Sequence, residues 1–138
     1  MKLTQLFSSM NISASGMSAQ RLRMDVIASN IANAQTTRTP QGGAYRRKEV
    51  IFATVLENKL QKGVQVVEIL TDPSPFKLLY NPQHPDANSQ GYVTMPNVDI
   101  ISEMIDMISA TRSYEANITA FKSAQNMFNK ALEIGRRY

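Results

Sequence analysis

Residues 97–137 read NVDIISEMIDMISATRSYEANITAFKSAQNMFNKALEIGRR, with no proline and a single glycine, Gly135. Apolar side chains recur here at steps that alternate between four and three residues, with Thr111 and Gln125 in the two gaps. That spacing is the heptad pattern of an α-helix that packs along another helix. It predicts one long helix, whose apolar series is Ile100, Met104, Met107, Tyr114, Ile118, Phe121, Phe128 and Leu132.

Both ends of this predicted helix carry residues that favour a helix boundary. Asn97 is the predicted N-cap and Gly135 the predicted stop. Asp99, Glu103 and Asp106 follow the start, where negative charge complements the helix macrodipole. A metal ion needs more convergent oxygen ligands than one helix supplies. We therefore interpret the three carboxylates as helix-stabilising charges rather than as a cation site or an acid–base pair.

A second heptad series occupies residues 3–33 and predicts a second long helix. Its members are Leu3, Phe7, Met10, Ala14, Met17, Met24, Ala28 and Ile31, with Arg21 as the one polar position. Few glutamate–lysine pairs support this helix, and Gly16 is expected to weaken or bend it. Asn30–Asn33 is predicted to end it, because asparagine accepts the left-handed conformation at a helix C-terminus.

The middle of the chain is predicted to be β-rich. All six prolines lie between Pro40 and Pro96, and turn residues separate the β-prone runs 49–55, 63–70, 76–80 and 91–95. The predicted fold class is therefore α+β. Two long terminal helices pack as an antiparallel, coiled-coil-like pair, and a small β-hairpin-rich module is inserted between them and projects from the middle. The predicted domains are a discontinuous helical domain, residues 1–36 and 97–138, and a β-rich inserted module, residues 37–96.

Composition argues against several function classes. The net charge is +4, but the basic residues form no dense run with aromatics, so no nucleic-acid partner is predicted. The chain has no cysteine and one histidine, His84 in a proline-fixed loop, which leaves no thiol chemistry and no histidine-based catalytic or metal site. No enzyme activity and no cofactor are predicted. Arg46–Lys48 could grip phosphate, but an inter-subunit ion pair or a solvated strand is the preferred interpretation.

The width of the apolar stripe predicts assembly. Ile101, Ile105 and Ile108 extend the stripe beyond what one partner helix covers, so other copies or other chains should bury the remainder. No apolar run is long enough to span a membrane, and the N-terminus lacks the apolar core of a secretory signal. The alternatives are a soluble coiled-coil adaptor or secreted effector, and a basic nucleic-acid-binding protein.

Two terminal motifs resemble the signatures of the bacterial flagellar rod and hook axial protein family. They are SGMSAQRLRMDVIASNIAN at residues 15–33 and NVDIISEMIDMI followed by RSYEAN at 97–108 and 112–117. Internal stretches are similar to those of proximal rod subunits within that family: YRRKEV at 45–50, DPSPF at 72–76, HPDA at 84–87, GYV at 91–93 and MPNVD at 95–99. The resemblance covers nearly the whole chain.

The resemblance implies a structural subunit of the flagellar basal-body rod, an axial protein of cell motility. Such a subunit leaves the cytoplasm through the flagellar type III export apparatus without a cleaved signal peptide, and polymerises helically in the periplasm. Its terminal helices form the drive shaft and the wall of the export channel, and the β module faces outward. The implied partners are further copies, other rod proteins, the rod-base adaptor and the inner-membrane MS ring, without direct membrane insertion. The predicted assembly interface is Leu3, Phe7, Met10, Met17, Met24, Ile31, Ile100, Met104, Met107, Tyr114, Ile118, Phe121, Phe128 and Leu132.

Overall fold

Two long helices frame the molecule. The computed structural model describes residues 3–57 and 61–135. Helix α1 (Leu3–Ala32) and helix α2 (Ile100–Gly135) are the first and last elements of the chain, about 45 Å and about 54 Å long at 1.5 Å per residue. The C-terminal ends predicted for both helices agree with these bounds, while the basic residues after Gly135 lie outside the described residues.

The helices pack antiparallel, as predicted. Together with the antiparallel strands described below, this confirms the predicted α+β class. A ladder of contacts joins residues early in α1 to residues late in α2, and the reverse. Its rungs are the Phe7 and Phe128 rings at 5.2 Å, Gly16 beside Asn117, Met24 with Thr111, and Asn30 with Glu103. Large and small side chains alternate along the seam, and at Gly16 the Asn117 side chain comes within 3.0 Å of the position that a Cβ would occupy.

Helix α2 begins two residues later than a cap at Asn97 would place it, so the predicted N-cap is wrong. Asp99 is the cap: its Oδ1 accepts hydrogen bonds from the backbone N–H groups of Ile101 (3.0 Å) and Ser102 (3.2 Å). Asn97 instead holds loops together, because its Oδ1 accepts from the backbone N–H of Arg47 at 2.8 Å. Both residue types suit a cap, and tertiary contacts decide between them.

Four strands form two antiparallel hairpins between the helices. β1 (Lys48–Glu57) pairs with β2 (Gln61–Thr71), and β3 (Lys77–Tyr80) pairs with β4 (Tyr92–Met95). These strands agree with the four predicted ones to within two residues at each end. The β-rich middle of the chain is confirmed.

The β1–β2 hairpin lies along α1 rather than projecting away from the helices, contrary to the expectation from sequence. At one end, Ser15 Oγ accepts a hydrogen bond from the backbone N–H of Val64 at 3.1 Å. A Cβ at Gly63 would lie 3.0 Å from the same Ser15 Oγ, so any larger residue would force the Ser15 side chain to shift, and glycine favours this close approach. At the other end, Asn30 bonds to the backbone of Lys48. Helix α1 is therefore covered on two sides, by α2 and by the hairpin.

The core is thin and consists mainly of small and medium side chains. Apart from Tyr45, the buried hydrophobic residues among those whose side chains are described are Ala19, Val26, Ile27, Ala44, Val93, Val98, Ala110 and Ala124. A core of this kind buries little apolar area per residue, so polar contacts and partners carry more of the fold than in a compact globular domain.

Candidate assembly surface and buried polar hub

The outward side of α2 carries an uncovered apolar surface over its first three turns. This α2 apolar patch consists of Ile101, Met104, Ile105 and Ile108, whose residues are 72%, 55%, 63% and 55% exposed. Ile100 lies at its edge and is also exposed. A contiguous apolar patch on an otherwise ordinary surface usually marks an interaction site.

The patch ends sharply along the helix. Steps of four and three residues continue the same side beyond Ile108 through Arg112, Glu115, Thr119 and Lys122, all exposed. The outward side of α2 is thus apolar for three turns and polar afterwards. An outer face that was apolar along the whole helix would indicate that the entire helix is buried against other elements. An apolar surface confined to three turns indicates instead a local contact site.

A second exposed apolar surface lies on the β3–β4 hairpin. Leu78, Leu79 and Tyr80 of β3 are all more than half exposed, and Tyr80 packs edge-on against Tyr92 with ring centroids 5.2 Å apart. The two tyrosines present one face to solvent, which adds an aromatic surface to the aliphatic one on α2.

The predicted interface residues divide into two groups. Those that are half-buried within the chain are Met10, Met17, Met24, Ile31, Met107, Tyr114, Ile118, Phe121 and Phe128. Those that remain exposed are Phe7, Ile100, Met104 and Leu132; the side chain of Leu3 lies outside the described residues. The seam facing α1 is rotated slightly from the predicted series, because Glu103, Ala110 and Ala124 are the buried positions of α2.

The seam also contains a polar cluster that the sequence analysis did not anticipate, here termed the buried polar hub: the side chains of Asn30, Arg47 and Glu103. Glu103 has no exposed surface. Arg47 Nε donates to its Oε1 at 2.6 Å, and Asn30 Nδ2 donates to its Oε2 at 3.0 Å. A carboxylate can be buried at this position because both of its oxygens have donors. Its interpretation as a mere macrodipole charge is therefore wrong.

Asn30 joins α1 to β1 as well. Its Nδ2 donates to the backbone carbonyl of Lys48 at 2.8 Å, and its Oδ1 accepts from the backbone N–H of Lys48 and from the Tyr45 hydroxyl, both at 3.0 Å. With the bond to Glu103, both amide hydrogens and both lone pairs of the fully buried side chain are used. The buried polar hub therefore connects α1, β1 and α2, and the side chain of Asn30 at its centre is completely satisfied.

Arg47 is surrounded by carboxylates of its own chain. Besides Glu103, its guanidinium nitrogens lie 3.7 Å from Glu49, 3.7 Å from Asp72 and 3.8 Å from Asp106. Burial lowers the pKa of Arg47, but the hydrogen bond to Glu103 and the charges of Glu103, Glu49 and Asp72 outweigh it, so the net pKa is raised. The preferred interpretation of this basic run as an inter-subunit pair or a solvated strand is wrong for Arg47.

The neighbouring Asp72 stabilises the turn after β2. Hydrogen bonds from Ser74 lower the pKa of the Asp72 carboxyl, with a smaller contribution from Arg47 and Arg46. Arg46 donates to the backbone carbonyls of Asp72 (3.0 Å) and Ser74 (3.1 Å), and its guanidinium lies 4.2 Å from the ring centroid of Phe76. Like Arg47, Arg46 therefore bonds to residues of its own chain.

The geometry around the hub offers structural stability rather than reaction chemistry. A cavity of about 260 Å³ beside it is lined by Arg23, Arg47 and Lys48 and by Glu49, Glu103 and Asp106, so its charges largely pair with one another. Within residues 3–57 and 61–135, no three histidine, cysteine or carboxylate side chains converge as a metal site would require. No helix in the same ranges is long and apolar enough to cross a membrane.

Comparison with known proteins matches both helical ends of the chain. Residues 10–38 match the family described as flagella basal body rod protein, and residues 89–134 match the C-terminal family of flagellar basal body rod FlgEFG proteins. The flagellar basal-body rod protein FlgC of Borreliella burgdorferi is 49% identical and covers 94% of this chain and 97% of its own length. The chain belongs to the FlgC family of flagellar basal-body rod proteins.

Other members of the FlgC family agree over the full length. FlgC of Bacillus subtilis is 47% identical, over 94% of this chain and 98% of the relative, and FlgC of Yersinia enterocolitica is 40% identical, over 99% and 100%. Membership of this family makes the chain a structural subunit of the flagellar basal-body rod and not an enzyme.

Within this FlgC-family chain the matched segments contain the two helical members of the hub. Asn30 lies in the first segment and Glu103 in the second, while Arg47 lies between them. The sequence feature that could have predicted the hub is a polar residue at a seam-facing position of each helix. It was missed because the predicted series placed Met104, and not Glu103, on the face toward α1.

Proposed function

We propose that this rod subunit polymerises helically, with its terminal helices forming the drive shaft and the wall of the export channel. The observation that carries the proposal is the α2 apolar patch. Its four side chains remain exposed while the neighbouring positions of α2 pack on α1. Burial of each such side chain stabilises by about 1.5–3 kcal/mol when it is complete, so covering the patch is a strong driving force for assembly.

Each of the two domains of the chain would have its own role in this assembly. The helical domain, residues 1–36 and 97–138, would supply the contacts along the rod axis. The β-rich module, residues 37–96, would face outward, and the exposed tyrosine pair of the β3–β4 hairpin would meet neighbours there. The half-buried members of the predicted interface series would hold the helix pair together, and the exposed members Phe7, Ile100, Met104 and Leu132 would contact other subunits.

The proposed partners are further copies of the chain, other rod proteins, the adaptor at the rod base and the inner-membrane MS ring. Before assembly the subunit would pass through the flagellar type III export apparatus to the periplasm without a cleaved signal peptide. The α2 apolar patch and the aromatic surface of the β3–β4 hairpin support at least two different neighbours, because they lie on different elements of the fold.

The test compares two double variants on the same side of α2. Ile101→Glu with Ile105→Glu places two charges in the apolar patch, and Thr119→Glu with Asn126→Glu places two charges on the polar continuation of that side. Both are expressed in a strain that lacks the native protein, and swimming and rod formation are scored by tracking and by electron microscopy of basal bodies.

We expect the patch variant to abolish rod formation and swimming, and the control variant to swim nearly as well as the wild type. Circular dichroism of the purified subunits checks that both keep their helical content. Normal swimming of the patch variant at normal protein level would show that this surface is not an assembly interface.

A further inference from the structure

The α2 side of the seam, and a row of methionines on α1, repeat every seven residues. On α2 the large positions recur at Met107, Tyr114, Phe121 and Phe128, and the small positions between them at Ala110, Asn117 and Ala124. On α1 a methionine recurs at Met10, Met17 and Met24. A seam of this kind is nearly symmetric under a slip of one heptad, which moves α2 by about 10 Å.

Apolar packing alone therefore selects the observed register weakly. After a slip of one heptad, the recurring methionines of α1 still face the seam of α2, Gly16 faces Ala124 instead of Asn117, and the Phe7–Phe128 ring pair is lost. A small alanine fits beside the glycine at least as well as Asn117, whose side-chain atoms lie 3.0 Å from the position of a Cβ at Gly16. Flexible methionines adapt to either arrangement.

The buried polar hub does not tolerate this slip. In the slipped register Asn30 faces Ala110, and Glu103 lies beyond Ala32, the last residue of α1. Glu103 then loses the donor at 3.0 Å from Asn30 and is displaced by about 10 Å from the Arg47 guanidinium. Breaking a buried charged pair is among the most costly changes in a protein core.

We propose that Asn30, Arg47 and Glu103 are positioning residues that select one register of the helix pair and couple it to β1. A single buried polar contact is known to fix register in coiled coils whose apolar positions are permissive. This property belongs to the subunit itself and does not depend on the proposed assembly.

Introduced cysteine pairs can measure the register, because the chain contains no cysteine of its own. Gly16→Cys with Asn117→Cys reports the observed register, since a Cβ at Gly16 would lie 3.2 Å from Asn117 Cγ, within the reach of a disulfide. Gly16→Cys with Ala124→Cys reports the slipped register, because Ala124 is one heptad further along α2. With the hub intact we expect the first pair to cross-link at least about a hundredfold faster.

The decisive variant replaces the hub by apolar side chains: Asn30→Leu, Arg47→Met and Glu103→Leu. Replacement of the Arg47–Glu103 pair by apolar side chains is often neutral or stabilising, whereas Asn30→Leu leaves the Lys48 backbone and the Tyr45 hydroxyl without their partner. Helical content should persist, and the two cross-linking rates should come within about tenfold of each other. A slipped pair that stays a hundredfold slower in this variant overturns the proposal.

Two further variants decide the question even if the apolar hub variant fails to fold. Met107→Ala with Phe121→Ala weakens the seam and leaves the hub, and the preference for the observed register should remain. Arg23→Leu with Asp106→Leu removes the half-exposed ion pair beside the hub, which lies at 3.2 Å, and should also leave it unchanged. Loss of register preference in either variant overturns the proposal. Such a loss would show that the seam or the Arg23–Asp106 pair, and not the hub, selects the register.

Discussion

Gly16 lies in the middle of α1 beside α2. Replacing it by alanine has two opposite effects on the free energy of unfolding. Alanine in a helix interior is favoured over glycine by about 1 kcal/mol. The added Cβ, however, would lie 3.0 Å from both terminal atoms of the Asn117 side chain, and overpacking of this kind costs about 1–3 kcal/mol. We expect Gly16→Ala to leave the free energy of unfolding unchanged or to lower it by up to about 2 kcal/mol.

The Asn117 side chain has little freedom to move away, because its Nδ2 donates to the backbone carbonyl of Ser113 at 2.9 Å. Removing it should reverse the sign of the effect. In an Asn117→Ala background, Gly16→Ala should raise the free energy of unfolding by about 1 kcal/mol, which gives a coupling of about 1–3 kcal/mol between the two substitutions. Urea unfolding of the four proteins of this cycle, followed by far-ultraviolet circular dichroism, measures the coupling. Equal stabilisation by Gly16→Ala in both backgrounds would refute the reasoning, since the Cβ would then have room.

Three further predictions concern single side chains. Glu103→Ala should lower the free energy of unfolding by at least about 2 kcal/mol, because it removes the acceptor of both Arg47 Nε and the buried Asn30 Nδ2. The exposed Glu115→Ala should change it by less than about 0.5 kcal/mol; chemical denaturation compares the two, and similar values would contradict the assigned role of the hub. Asp99→Ala removes the N-cap of α2 and should cost about 1 kcal/mol in the same assay, with no loss expected if the cap lies elsewhere. Because the pKa of Asp72 is lowered from its ordinary value of 3.8 in the folded protein, its contribution to stability is present above that value and is lost as pH falls through the folded pKa. Ser74→Ala removes the hydroxyl and keeps the backbone donor, so it should move the midpoint of an NMR titration of the Asp72 carboxyl upward, and an unmoved midpoint would show that the Ser74 hydroxyl is not a cause.

The elements of the fold could be predicted from the sequence because local signals were strong. The heptad spacing identified both helices, and the confinement of all prolines between Pro40 and Pro96 marked the β-rich middle. The stripe widened by Ile101, Ile105 and Ile108 indicated an uncovered surface, and these three side chains are exposed in the structure. Periodicity predicts such features well because it reports directly which residues share a face.

Tertiary contacts could not be predicted in the same way. The hairpin lies on α1 because Gly63 admits Ser15 at close range, a contact between residues far apart in sequence. Glu103 looked like an exposed first-turn acid, and only the positions of Asn30 and Arg47 explain its burial. The choice between Asn97 and Asp99 as the N-cap was likewise decided by what else Asn97 could bond, which no local pattern contains.

The hub gives the chain an optical reporter of its own. The protein has five tyrosines and no tryptophan, so its near-ultraviolet circular dichroism comes mainly from tyrosine and phenylalanine. Tyr45 is only 9% exposed and its hydroxyl donates to Asn30 at 3.0 Å, whereas Tyr80 and Tyr92 are exposed to solvent. A ring held rigidly in an asymmetric environment contributes strongly to such a spectrum, as the half-buried Tyr114 also does, and loss of a near-ultraviolet signal with retained far-ultraviolet signal is the mark of lost packing. The spectroscopic state of Tyr45 therefore follows the junction of both helices with β1, without any label added to the protein.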